Sequence, residues 1–114
     1  MLFDSTNEID FVSVKEGSDI VWLTIADELD WQDEKRHMFL LQEKINTYLE
    51  FIENGQLYEV YPEAEGRKLV IDIYARYPVP ESGLKFLDRV DAVVTGAGYG
   101  FGYKYFPGEK ANEL

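Results

Sequence analysis

Three groups of residues in this sequence have the types that chemistry needs. The densest is DELDWQDE at 27–34, where Asp27, Glu28, Asp30, Asp33 and Glu34 gather the oxygen ligands that calcium and magnesium prefer. Its spacing is not that of an EF-hand loop, because the glycine at the sixth position and the bidentate acid at the twelfth are missing. The second group is Gly96, Gly98, Gly100 and Gly102, since glycines let a backbone approach phosphate closely. A dinucleotide fingerprint sets its glycines after a strand and before a helix N-terminus, whereas these follow a helical pattern and enter a strand. The third is the lone His37, beside Lys35 and Arg36. A general base needs an orienting partner and a nucleophile within hydrogen-bond reach, and no GxSxG-type motif supplies one.

The expected roles of all three are therefore structural. The acids form a solvated cap for a helix start, with Trp31 packed against that start. The glycines end a helix and leave one face of a strand bare, and His37 is a surface residue. Two carboxylates at the right separation would cleave a glycoside, but with 22 acids in the chain any chosen pair is uninformative. No catalytic residue, metal ligand or cofactor is assigned.

The elements that position these residues follow from periodicity. KRHMFLLQEKINTYLEFIENG at 35–55 is an amphipathic helix in which Met38, Leu41, Ile45, Tyr48, Leu49 and Ile52 fall in one stripe that must be buried. Asp30 and Asp33 suit its start, and Asn54-Gly55 its stop. Leu40 and Phe51, to one side of the stripe near Lys44, extend the core under Leu57–Tyr61 or mark a second contact surface, the former being favoured. Ahead of the helix, 9–14 and 19–25 alternate as two strands joined by the turn Lys15-Glu16-Gly17-Ser18, an antiparallel hairpin. Behind it, 56–66 reads as an ordered loop with a short helical turn or an edge strand. Leu69 to Tyr77 is the clearest strand, ended by Pro78 and Pro80. A second helix spans 81–95 and a last strand 99–106.

The order β-β-α-β-α-β predicts an α+β two-layer sandwich, a mixed four-stranded sheet with two helices on one face. The whole chain, 1–114, is expected to be a single domain with 1–7 and 107–114 flexible. Hydrophobic residues at 46% and aromatic ones at 15% are too many for a disordered chain. The formal net charge of −11 opposes contact with phosphate backbones and anionic lipid, so neither nucleic acid nor membrane is an expected partner. It would instead steer a basic protein. The absence of cysteine excludes disulfides and thiol chemistry. No stretch approaches the roughly 18 apolar residues of a membrane span, and MLFDSTNEID is not a signal peptide, so a cytoplasmic protein is expected.

The sheet face turned away from the helices should carry Ile20, Trp22, Val70, Tyr74, Gly100 and Gly102 with Asp72, Arg76 and Lys104. Trp22, Asp72, Tyr74, Arg76 and Lys104 are the candidate partner-binding residues, because aromatic rings rimmed by charge are the usual composition of a contact surface. The alternative is that the N-terminal leader or the 56–66 segment covers this face.

The pieces IDFVSV at 9–14, LTIADELDW at 23–31, LLQEKINTYLEFIENGQLYEVYPEAEGRK at 40–68 and GAGYGF at 96–101 carry a family likeness. Through them the chain resembles a family of small bacterial proteins known only as a domain of unknown function. That resemblance implies a stand-alone cytoplasmic protein and transfers no activity, cofactor or catalytic residue. The function expected is a non-catalytic protein-binding module, with an immunity or inhibitor protein for a basic toxin as its specific form. A homo-oligomer with a structural or regulatory role, such as a homodimer through the open face, is one alternative. A small-substrate enzyme using the carboxylates near 27–34 is the other.

Overall fold

The structure, a computed structural model, describes residues 6–107. Four strands, β1 (Phe11–Val14), β2 (Ile20–Asp27), β3 (Lys68–Ala75) and β4 (Gly100–Tyr105), form one sheet in the order β1-β2-β3-β4. The hairpin β1–β2 is antiparallel, with Ser13 opposite Trp22, and the pairs β2–β3 and β3–β4 are parallel. Each parallel pair needs a crossover. The first contains α1 (Glu34–Glu53) and a short α2 (Gln56–Val60), and the second is α3 (Glu81–Gly96). A single 3-10 turn, Pro62–Ala64, completes the segment left open between loop, helical turn and edge strand. The α+β class and the mixed sheet are those expected from the sequence, with one short helix more.

Strand alternation decides which way each side chain points. Val21, Leu23 and Ile25 of β2 and Leu69, Ile71 and Ile73 of β3 pack in one cluster with Leu41, Ile45, Tyr48 and Ile52 of α1 and Phe86, Leu87, Val90 and Val94 of α3. Leu57 and Ala64, both fully buried, join the same cluster, so the 56–66 segment closes the helical side of the sheet and leaves the opposite face alone. Phe101 follows Ile71 onto the helical side, but Tyr103, two residues on, is 44% exposed because β4 is an edge strand. Of the ends expected to be flexible, residues 1–5 and 108–114 lie outside the described residues. Thr6 accepts a hydrogen bond from the Thr47 hydroxyl through its carbonyl at 2.6 Å.

Helix α1 starts at Asp33, whose side chain accepts from the Arg36 N–H at 3.1 Å. Its buried face is turned relative to the expected stripe. Met38 and Leu49 are only half-buried, and the buried set is His37, Leu41, Lys44, Ile45, Tyr48, Phe51 and Ile52. The reason is a line of polar groups that find partners inside. His37, expected at the surface, is wholly buried: Nδ1 meets the Asp30 carbonyl at 2.8 Å and Nε2 meets Asp27 Oδ2 at 2.6 Å. Trp31 stacks on its ring with centroids 3.6 Å apart. The edge of Trp31 in turn abuts Gly83 of α3, where an added Cβ would come within 2.8 Å of the indole. Trp31 thus packs the helix start as expected, with His37 as its platform.

Two turns further along, Lys44 is also wholly buried, and its Nζ donates to Asp10 Oδ1 at 2.8 Å. The other Asp10 oxygen accepts from the Ala26 N–H at 3.0 Å. The Tyr48 hydroxyl accepts from the Asp10 N–H at 2.8 Å and donates to the Thr24 carbonyl at 2.5 Å. Burial pushes the Tyr48 phenol well above its ordinary range, so it stays a neutral donor at this junction. These bonds fasten the segment ahead of β1 to β2 and α1 where a four-residue strand alone would hold it weakly.

Candidate functional site

The even-numbered residues of β2 and β3 must face away from the helices, which pack against the odd-numbered ones. Phe11 is 61% exposed and Trp22 41% exposed on this face. The registers place Thr24 beside Asp72, Asp72 beside Gly102, and Tyr74 beside Lys104. The four side chains Trp22, Asp72, Tyr74 and Lys104 line one open cleft of about 490 Å³, together with Ser13, Lys15 and Thr24. A second cleft of about 420 Å³ shares Tyr74 and Thr24 and adds Phe11, Arg76 and Phe106. So four of the five candidate residues meet in one hollow, and Arg76 borders the next.

Asp72 is the chemical centre. Only 9% of it is exposed, yet it stands on the bare side of a central strand and borders the cleft. The Thr24 hydroxyl donates to Oδ1 at 2.7 Å. Burial raises the Asp72 carboxyl above its ordinary 3.8, while the Thr24 hydroxyl, its own backbone N–H and the Lys104 charge oppose the rise. Lys104 lies with Nζ 5.5 Å from the Tyr74 ring centroid, a cation–π contact, and Tyr74 also meets Phe106 with centroids 5.2 Å apart.

The two glycines of β4 have different reasons to be there. A Cβ at Gly100 would come within 2.9 Å of Val70 Cγ2, so the strand needs a bare position. A Cβ at Gly102 would meet nothing within 4 Å. Packing does not demand that glycine, and its effect is to keep the cleft open next to Asp72.

A raised carboxyl acid has a defined linkage. Asp72 holds its proton more tightly folded than unfolded, so stability falls as pH rises through the window from 3.8 to the raised value, and the cost persists above it. Asp72→Asn keeps an acceptor for Thr24 and removes the charge. We expect it to raise the urea midpoint at pH 7 and to lose that advantage at a pH well below 3.8, where both states of the wild-type carboxyl are protonated. Equal midpoints at pH 7 would show that burial of Asp72 carries no cost.

The other groups offer little for catalysis. Both ring nitrogens of His37 are bonded and the ring is fully buried, so it reaches no solvent or substrate. Asp27 is buried with it, Asp33 is spent as the helix cap, and Asp30 Oδ1 accepts from the Gln32 N–H at 3.1 Å. Among the described residues no group of three or more His, Cys, Asp or Glu is placed to hold a metal ion, and no helix is long and apolar enough to cross a membrane.

Sequence reasoning missed Ser13, Lys15 and Thr24 in the first cleft and Phe11 and Phe106 in the second. The hairpin alternation held the signal for Ser13, Thr24 and Phe11, since Thr24 shares parity with Trp22 and antiparallel pairing brings Ser13 and Phe11 to the same face.

No curated protein and no solved structure matches the chain. A family model matches residues 1–107, so the chain belongs to the Family of unknown function (DUF6572).

Proposed function

We propose that this chain is a non-catalytic protein-binding module of the bacterial cytoplasm that engages its partner through the open face of the sheet. The observation that carries this reading is the combination on that face of exposed rings, Phe11 and Trp22, with a nearly buried carboxylate, Asp72. An aromatic hollow around a desolvated charge is the composition of an interface hot spot. The formal charge of −11 favours a basic partner, because a field of that sign accelerates its capture, and an immunity or inhibitor protein for a basic toxin is the form that fits.

Self-association is the second reading, favoured by one observation. The edge strand β4 presents Tyr103 and Tyr105, 44% and 53% exposed, beside unpaired edge backbone, a combination suited to adding another strand. Light scattering on the purified protein at two concentrations separates the two readings.

The test is side-chain footprinting of the complex. The tagged protein is used to isolate its partner from native lysate at low salt, and hydroxyl-radical labelling is compared for the free and bound protein. We expect protection of Phe11, Trp22 and Tyr74, unchanged labelling of Phe39 on the helical layer, and release of the partner as salt rises. Protection of Phe39 with Trp22 still labelled would place the interface elsewhere.

A further inference from the structure

We propose that the cleft beside Asp72 receives an arginine side chain of the bound protein, its guanidinium bonding the carboxylate and lying against Trp22. This rests on the reading of the open face as the contact surface. Among the described residues the carboxylate, only 9% exposed, takes its one side-chain hydrogen bond from the neutral Thr24 hydroxyl, and no cation lies within ion-pair distance of it. Lys104 acts on it only from beyond ion-pair distance, and a desolvated carboxylate of this kind is costly to keep and gains most when a cation bonds it directly. The space is present: Gly102 sits opposite Asp72 in the β3–β4 register and puts no side chain into the cleft of about 490 Å³.

The neighbours select arginine over lysine. Lys15 and Lys104 border the same cleft, so a compact ammonium would set its whole charge against two like charges. A guanidinium spreads its charge over a plane, is less strongly hydrated, and can stack on an aromatic face while forking its donors to a carboxylate. Trp22, one residue pair along β2 from Thr24 on the same face and 41% exposed, supplies that ring. The field of a chain with formal charge −11 brings such a residue in.

The experiment is an NMR titration of the isotope-labelled full chain with four blocked amino-acid amides: arginine, citrulline, lysine and glutamate. Citrulline keeps the shape of arginine without its charge. We expect arginine amide to shift the Trp22 indole and Gly102 amide signals saturably, with citrulline and lysine at least tenfold weaker and glutamate without effect. Asp72→Asn, which keeps the Thr24 acceptor, should weaken arginine at least tenfold with its spectrum otherwise folded. Equal binding of citrulline, unchanged arginine binding by Asp72→Asn, or tighter binding of glutamate in the same cleft would overturn the assignment. If such a result comes with probes still landing at Trp22 and Tyr74, the open face survives as the contact surface and only the arginine is removed. If arginine shifts only the helical layer around Phe39, or nothing, the open-face reading falls with it.

Discussion

Replacing His37 with Ala is expected to cost about 3–5 kcal/mol, the penalty for removing one partner of a buried, hydrogen-bonded ionisable pair and stranding the other. The stranded group is Asp27, 1% exposed at the end of β2, which among the described residues would keep only the Leu29 N–H on its other oxygen at 3.2 Å. The carbonyl of Asp30 loses its donor as well, and Trp31 loses the ring it stacks on at 3.6 Å. A domain of this size has roughly 5–15 kcal/mol of stability in all, so the variant should melt about 10 °C or more below wild type. A control keeps the result specific. His37→Leu made together with Asp27→Leu should be less destabilised than His37→Leu alone, because an apolar pair strands no polar group. Thermal melts followed by the near-ultraviolet signal of the stacked Trp31 check both. A loss below about 1 kcal/mol, the range of an exposed pair, would mean that the His37–Asp27 contact is incidental.

The same pair explains where sequence reading succeeded and where it did not. Strand β3 was legible because Leu69, Ile71 and Ile73 alternate with Val70, Asp72 and Tyr74, and that parity alone fixes which residues can share the open face. Helix α1 was legible as an element but not in rotation. His37, Lys44 and Phe51 recur every seven residues, the spacing of one helical stripe, yet two of them are polar and so counted against burial in a hydropathy pattern. Their partners were marked as well: Asp27 continues the buried parity of Val21, Leu23 and Ile25. What no local pattern holds is which acid meets which base across the fold, since Asp10 and Lys44 are 34 residues apart. Of the site, Trp22, Asp72, Tyr74, Lys104 and the bare Gly102 were placed together by parity, while the contribution of Ser13 and Lys15 depends on the hairpin register, which is set by pairing and not by either strand's own pattern.

Replacing both Trp22 and Tyr74 with Ala is the second large effect, and it falls on binding. Trp and Tyr at the centre of an interface typically lose about 2 kcal/mol each on truncation, and such losses do not add in full, so the pair should weaken the complex by roughly a hundredfold to a thousandfold. The fold should survive. Trp22 is 41% exposed, and Tyr74 points from the sheet face opposite the core, where its ring contacts are Phe106 and Lys104. The stability change should therefore be small beside the loss of affinity, and circular dichroism of the variant should match wild type.

Isothermal titration of the purified partner into wild type, into Trp22→Ala/Tyr74→Ala and into Phe39→Ala measures this most directly. Phe39 is the control because it is 62% exposed on the helical layer, away from the open face. We predict at least a hundredfold weaker binding for the sheet-face variant and wild-type affinity for Phe39→Ala. Undiminished binding by the folded sheet-face variant, or loss only in Phe39→Ala, would contradict the assignment of the open sheet as the binding surface.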